Sequence, residues 1–571
     1  MLRLGLFLAF MFLVYLTLTD PSGLTVAFTL SVLLLFIVLS TIDGRLKRRI
    51  KIIDIFIDIN SKEVAALGGD YSAFNAGNEF TDPSHDYTFD LDIFGEGSIF
   101  QYLNRTATIF GKLNLADYFK NAYTYGDKVN GRQQAVQELA GMVEMRQKLQ
   151  LIFHSEQIAE SDKEEMTMWL GSSGSVKNMN LLRALAYGLP TVTLVSILLS
   201  FAGIISFPIA LIILQLMVVF LYGKQTIKIQ SIITSKSKIL NKYAQSLELI
   251  ENAQFNSQYL NDFKMQLTGS GQRKPSQAIH QLSVILKYMD SNLNLLVAVI
   301  LNGLFMFNLH LLIKVEKWKK QNQKKVPVWF DSIASFDAMC SLANFAYNNP
   351  AYIYPEVTNN GFRYDAENLG HPLIQDNQRI VNDIEIQGWN QFFIVTGANM
   401  SGKSTFLRTV GVNFILAMMG APVCASRLIF SPIMLHSSIR TSDSLSRNES
   451  YFYAELKRLK QIIDELESGK QKFILLDEIL KGTNSKDKQA GSIALIEQLL
   501  RYKSIGMFAT HDLMLGELAD HYPGNVNNLC FEIQISGDQM VIDYKLHKGV
   551  CKNLNATYLM KNMGILMPPI K

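Results

Sequence analysis

Ala184–Gly223 is a run of 40 residues without a single charged side chain. As one helix at ~1.5 Å per residue it would extend ~60 Å, twice the ~30 Å hydrocarbon core of a bilayer. Ser206-Phe207-Pro208 supplies a reversal near its middle, because proline removes a helix donor and clashes with the preceding turn. The run therefore predicts two membrane spans joined as a hairpin. A buried core hairpin is the competing reading, but few cores accept so long an uncharged stretch. The N-terminus repeats the pattern, with uncharged Leu4–Leu18 and Leu24–Ile42 separated by Thr19-Asp20-Pro21-Ser22-Gly23. A secretory signal is the alternative for Leu4–Leu18. No small-x-small cleavage site follows it, and a second apolar run comes at once.

Basic residues flank both hairpins on one side: Arg45, Lys47, Arg48, Arg49 and Lys51 after the first, Arg183, Lys224 and Lys228 around the second. By the positive-inside rule that side is the cytoplasm. The expectation is a multi-pass protein of the cell (inner) membrane with four transmembrane helices, its partner the lipid bilayer and its remaining mass cytoplasmic. A further apolar stretch, Leu293–Ile313, contains Asn302, Asn308 and His310, which are costly in lipid. A fifth crossing would also put the C-terminal half outside the cell. This stretch reads as a buried helix.

Net charge is only +4, which does not advertise a nucleic-acid binder, although a local basic face is what counts. The basic run Lys314–Lys325 reads chiefly as a solvated face, with contact to a phosphate backbone as the alternative. Cys340, Cys424, Cys530 and Cys551 form no CxxC pair, which suits reduced thiols and argues against a zinc site. Gly131–Trp169 and Gln225–Phe263 show helical periodicity with few breakers and predict two long amphipathic arms on either side of the second hairpin. After about Asn390 the pattern changes to short apolar runs, "QFFIVTG", "QKFILLDE" and "SIGMFATHD", alternating with helices, as in a buried parallel sheet. "LCFEIQISGDQMVIDYKL" predicts an antiparallel hairpin turning at Gly537-Asp538. The organisation expected is multi-domain: residues 1–50 a transmembrane hairpin with its basic flank, 51–182 a helical core and first lever arm, 183–224 the second hairpin, 225–350 the return arm and core, and 351–571 a C-terminal α/β P-loop (ABC-type) ATPase domain.

Gly397-Ala398-Asn399-Met400-Ser401-Gly402-Lys403-Ser404, followed by Thr405, satisfies GxxxxGK[ST] between an apolar strand and a helix. In that setting backbone N–H groups cradle the phosphates of ATP, Lys403 reaches the β- and γ-phosphates, and Ser404 ligates Mg²⁺. At the end of "FILLDE", Asp477 is expected on the Mg²⁺, with Glu478 beside the γ-phosphate as the group that orients or deprotonates water. In "ATHD", His511 ends another strand and is expected to touch the γ-phosphate.

Together these motifs resemble the MutS family of DNA mismatch-repair ATPases. "TGANMSGKST" is similar to that family's phosphate loop, and "DEILKGTN" to its second motif. "SIRTSDSLSRNESYFYAELKRL" resembles the segment from which a serine, here Ser450, approaches ATP held by the partner subunit. "HPLI" and "VNDI" resemble the lead-in to the nucleotide fold, and Asp90–Phe119 the start of the core and lever region. The resemblance covers about Asp90 to Ile565. It implies a homodimer through the ATPase domains, with Lys403, Ser404, Asp477, Glu478 and His511 acting in cis and Ser450 in trans, and duplex DNA as a partner. The departures bear on DNA. Mismatch-repair members wedge a Phe-x-Glu aromatic into the base stack from an N-terminal domain, whereas most of the chain before Asp90 is membrane hairpin. Phe94-Gly95-Glu96 reads as coincidence, and a membrane hairpin replaces the DNA clamp. Where the family presents an aromatic to adenine, this chain has Arg379-Ile380, and Arg379 is a candidate to stack on the base in its place, with the adenine contact left open. The function expected is an ATP-driven dimeric clamp or switch held at the membrane. The alternatives are a transporter-like ATPase, against which no LSGGQ-type signature is present, and a regulatory scaffold that does not bind DNA.

Overall fold

The computed structural model describes residues 2–154, 160–172, 178–233, 237–269, 273–291, 295–440, 451–536 and 539–551. The chain divides into two compact units, Met1–Asp70 and Tyr71–Lys571.

The first unit is a helical hairpin, α1 (Leu2–Thr19) and α2 (Gly23–Leu67). Ser22 and Thr25 form a reciprocal capping box that starts α2. The antiparallel register is fixed by Thr17 against Thr29 at 2.9 Å, Phe7 against Phe36, and an ion pair from Arg3 to Asp43. α2 runs through residue 50 without a break, so the basic flank and the amphipathic segment beyond it share one helix with the apolar run.

In the second unit, α3 (Ile99–Leu103), α4 (Ile109–Lys120), α5 (Gly126–Gly141), α6 (Val143–Phe153) and α7 (Glu160–Gly171) lead to the hairpin α8 (Met179–Phe201) and α9 (Ile209–Leu221). The chain returns through α10 (Gly223–Ile233), α11 (Ser237–Asn252), α12 (Gln258–Thr268), α13 (Pro275–Ser291), α14 (Leu295–Phe305), α15 (Phe307–Asn322) and α16 (Val326–Asn348). The arms are segmented where the periodicity predicts continuous helices. Met142 leaves helical geometry between α5 and α6. The turn between α11 and α12 is held by Glu138, whose carboxylate accepts the Asn256 and Ser257 amides. α16 is the central strut: Phe330, Phe336, Leu342 and Phe345 are buried, and its buried Asp337 accepts both amides at the start of α4 and the Thr108 hydroxyl.

Of the four predicted spans, two lie in helices long and apolar enough to cross a membrane, α2 and α8; the apolar helix Arg3–Thr19 and α9 are shorter. The physical reason in the second hairpin is its turn. Residues 202–208 leave the helix, with Gly203 at φ +74°, and this leaves α9 only 13 residues. Leu293–Ile313 is not the simple buried helix expected. Its described part is two helices bent by 78° around Met306, which adopts φ +48°. The run Lys314–Lys325 is not merely a solvated face either. Lys319 is buried and donates to the Ser172 carbonyl and hydroxyl at 2.8 Å, and Trp318 donates to the Ala278 carbonyl at 2.7 Å.

The C-terminal region is α/β. β1 (Glu356–Val357), β2 (Arg363–Leu369), β3 (Asn382–Gln387) and β5 (Arg427–Phe430) form a sheet in the order β1-β5-β2-β3. β4 (Phe392–Gly397), β6 (Met434–Ser438), β7 (Lys472–Asp477), β8 (Ile505–Thr510), β9 (Val526–Ser536) and β10 (Gln539–Lys548) form a second, ordered β10-β9-β4-β8-β7-β6. In this sheet β9, β4, β8, β7 and β6 are parallel neighbours, and β10 is antiparallel to β9. β4, β7 and β8 are buried at every position, which is why they read as uninterrupted apolar runs. β9 and β10 pair as expected; the turn at Gly537-Asp538 lies outside the described residues. α17 (Lys403–Met418), α18 (Tyr451–Glu467), α19 (Ser485–Arg501) and α20 (Leu518–His521) complete the region.

Candidate functional site

β7, β8 and β4 are adjacent and parallel, so their C-terminal ends, Asp477, Thr510 and Gly397, fall at one edge. A crevice at the carboxyl ends of strands is where open α/β sheets bind ligands. Three stretches distant in sequence meet there: the loop after β4, Asp477-Glu478 after β7, and His511 after β8.

Gly397 ends β4, and residues 398–402 turn into α17. Gly402 takes φ +104° and precedes Lys403, the first residue of the helix. Met400, at φ +69°, is exposed. The Lys403 side chain is 4 % exposed, and its ammonium donates to the Gly397 and Ala398 carbonyls at 2.7 and 2.8 Å. Burial depresses its pKa, with the charges of Glu478 and Asp477 opposing that shift. Asn399, Met400, Ser401, Gly402, Lys403, Ser404 and Thr405 line a cavity of ~630 Å³ together with Asp477, Glu478 and Lys481.

Ser404 and Asp477 line the cavity together, and the Asp477 carboxyl is raised above its ordinary value by burial, with the Ser404 hydroxyl opposing that shift. Glu478 sits at φ +46°, its amide donating to the Ala509 carbonyl at 2.9 Å. Left-handed backbone at such a residue costs of order 1–3 kcal/mol and persists where surrounding structure enforces it. Here it turns the carboxylate back towards β8, where Oε1 lies 3.1 Å from His511 Nδ1. Burial raises the Glu478 carboxyl, but the hydrogen bond and charge of His511, with Lys481 and Lys403, outweigh it and hold the group below its ordinary value. Glu478 is therefore ionised at neutral pH, as a base must be.

Among the described residues no cluster of His, Cys, Asp and Glu could hold a metal ion alone. The Ser404–Asp477 pair does fit Mg²⁺, which is normally bound by one or two protein oxygens together with substrate phosphates. Ser450, expected to act in trans, lies outside the described residues.

Arg379 is not a stacking group. Its guanidinium donates to the His371 and Ile374 carbonyls and pairs with Asp376, leaving the side chain 11 % exposed and turned into the loop before β3. Ile380 lines the cavity instead, and Tyr544 of β10 lies with it. Tyr544 is exposed, at φ +53°, and a Cβ added at Gly402 would sit 3.1 Å from its ring. Asn382 fixes this part of β10, donating to the Tyr544 carbonyl and accepting the Leu546 amide. Sequence reasoning missed Tyr544 because nothing in an alternating strand marks a register shift, and the one between Ile542 and Leu546 is what presents the ring. Phe94, of the Phe-Gly-Glu triplet, is buried against Phe80 and Phe100 and offers no wedge.

Residues 393–565 match the family model for MutS domain V. This C-terminal stretch belongs to the MutS domain V family. Similar proteins include the DNA mismatch repair protein MutS of Thermotoga maritima, 29 % identical over 254 residues, which is 44 % of this chain and 31 % of that protein. The MutS of Finegoldia magna is 33 % identical over 236 residues, 40 % of this chain and 27 % of that protein. MutS protein homolog 4 of Homo sapiens is 30 % identical over 250 residues, 42 % of this chain and 25 % of that protein. The chain thus spans less than a third of the length of these MutS relatives, all in proteins tied by name to MutS. Its helical hairpins lie outside the region matched by the domain V model.

Proposed function

We propose that this MutS-family chain is a membrane-anchored ATPase whose domain V binds MgATP and hydrolyses it. The observation that carries the reading is the meeting of Lys403, Ser404, Asp477, Glu478 and His511 at the ends of three neighbouring parallel strands. In the proposed mechanism the amides at the start of α17 bind phosphate, and Lys403 leaves its loop carbonyls to meet the β- and γ-phosphates. Mg²⁺, held by Ser404 and positioned by Asp477, would neutralise charge on the phosphates. Glu478 takes the proton of the attacking water or orients it, and His511 holds that carboxylate in place. Ile380 and Tyr544 bracket the base. As in the family it resembles, a second copy would complete the site with Ser450 in trans, so nucleotide state would open or close a homodimer.

The two hairpins are proposed to anchor this machine in the cell membrane with domain V in the cytoplasm. Their support is the apolar exposure of α1, α2, α8 and α9 and the basic residues flanking them on one side. Duplex DNA is proposed as a backbone-bound partner rather than a substrate read for mismatches. The test is ATPase rate of the detergent-purified chain with no DNA, perfect duplex and single-mismatch duplex at low salt, alongside Glu478→Gln. The variant is expected to bind nucleotide while turnover falls ~10²–10⁴-fold; normal turnover would remove Glu478 from the mechanism. Mismatch-specific stimulation would refute backbone-only binding, and no response to either duplex would move the load from DNA to the membrane.

A further inference from the structure

We propose that Leu295–Phe305, helix α14, is a re-entrant half-helix that enters the bilayer beside the α8–α9 hairpin and returns to the side it came from. The proposal rests on the reading of that hairpin as membrane-embedded and adds a third lipid-facing element to it. Two objections count against lipid contact for this stretch: its polar residues, and the parity of crossings. The structure answers both.

Asn302 and His310 are both engaged within the protein. Asn302 is 4 % exposed; its amide donates to the Ala298 carbonyl at 2.9 Å and accepts the Asn308 amide at 2.9 Å. That second bond caps the start of α15, where N–H groups lack intrahelical partners. It stabilises the sharp bend at Met306. His310 packs edge-on against Tyr187 of α8, ring centroids 4.7 Å apart, so its ring is taken up against the hairpin.

Parity is preserved because α14 does not cross. Its 11 residues extend roughly 16 Å, about half of a ~30 Å hydrocarbon core. The helices on either side of it, α13 and α15, pack against each other, with Trp318 donating to Ala278, so they lie on one face of the membrane.

α14 is seated on the hairpin itself. Gly303 faces α9 closely enough that an added Cβ would lie 3.1 Å from Ile212 and 3.8 Å from Leu216. Such small-residue contacts are how helices approach in membranes. Away from that contact Val299, Ile300 and Phe305 are exposed, Ile300 by 58 %. They continue the exposed apolar surface of Ile213, Met217 and Phe220 on α9. α15 then leaves this region carrying Trp318, stacked on Trp169, and Lys319, bonded to Ser172. The half-helix is thereby joined to both lever arms, and a movement of the arms would shift its depth in the bilayer.

The experiment places single cysteines for NBD-maleimide on the exposed positions Ile300→Cys, Phe220→Cys on α9, and Lys317→Cys on α15, in the full chain reconstituted into phosphatidylcholine vesicles with or without acyl-brominated lipid. The native cysteines are all buried. Labels at 220 and 300 are expected to emit blue-shifted and to be quenched at least twofold by the bromines, and the label at 317 to be unquenched. Quenching at 220 without quenching at 300 overturns the re-entrant helix and leaves the anchor intact. No quenching at either position overturns the anchor itself. A membrane-impermeant maleimide should reach Val284→Cys on α13 and Lys317→Cys from the same side as domain V. Labelling of these two from opposite sides would make α14 part of a crossing and refute the proposal.

Discussion

Replacing Asp90 by alanine removes a carboxylate that is 0 % exposed and that collects three donors: the Arg440 amide at 2.9 Å, the Ser437 hydroxyl at 3.0 Å and the Arg458 guanidinium at 2.6 Å. Those donors come from β6, from the residues just beyond it and from α18, while the Asp90 carbonyl accepts Arg408 of α17 at 3.1 Å. One residue of the helical region's leading segment thus ties together three parts of domain V. Removing one member of a buried ion pair costs about 3–5 kcal/mol, mostly because the other charge is stranded. The Arg458 side chain keeps 18 % exposure, so some water reaches it and the lower end, ~3 kcal/mol, applies. That is roughly a 10²-fold change in the equilibrium for local opening. Hydrogen exchange on the full chain in detergent should show residues 434–440 exchanging ~100-fold faster in Asp90→Ala. The double variant Asp90→Ala/Arg458→Met should recover much of that loss, because it no longer strands a charge. Exchange within about threefold of the parent in the single variant, or purely additive losses in the double, would refute the argument that Asp90 acts through its pairing.

Tyr544→Ala should weaken binding of a fluorescent ATP analogue by ~1–3 kcal/mol, the usual range for loss of base stacking; an unchanged Kd would place the base elsewhere. Glu478→Gln should separate nucleotide binding from turnover as set out above, and its retained amide oxygen can still face His511, so the fold should be unaffected. His371 is pushed down to about 4 by burial, then by the charges of Arg408 and Arg379. A histidine depressed in the folded state favours the neutral form. Its stability contribution is complete above the ordinary value of 6.5 and drains as pH falls towards about 4, by up to ~3 kcal/mol. His371→Gln should therefore flatten the urea midpoint between pH 7 and pH 4.5 relative to the parent chain, and an equal pH dependence in both would refute the assignment.

Much of the candidate site is legible in the sequence because its parts are local. A phosphate loop needs its glycines and Lys403 at fixed spacing between a strand and a helix, and the runs ending at Asp477 and Thr510 are apolar because both faces of their strands are covered. The long apolar helices are legible for a similar reason: absence of charge over a long run is a one-dimensional property. Tyr544 and the fate of Arg379 are not of that kind. One depends on a register shift in β10, and the other on which carbonyls happen to face a guanidinium once the loop before β3 has closed.

Composition and spacing determine by themselves that this chain carries a GxxxxGK[ST] loop, two acidic or histidine-bearing strand ends and apolar hairpins with one-sided basic flanks, since each follows from neighbours along the chain. Only the tertiary structure decides that β7 and β8 lie next to β4, so that Glu478 meets His511, and that Asp90 reaches domain V across several hundred residues of sequence. It also decides the bend at Met306. An asparagine and a histidine that argue against lipid in a linear reading become compatible with it once Asn302 caps the next helix and His310 packs edge-on against Tyr187. The cost of a polar group is set by whether it has a partner, and partners are chosen in three dimensions.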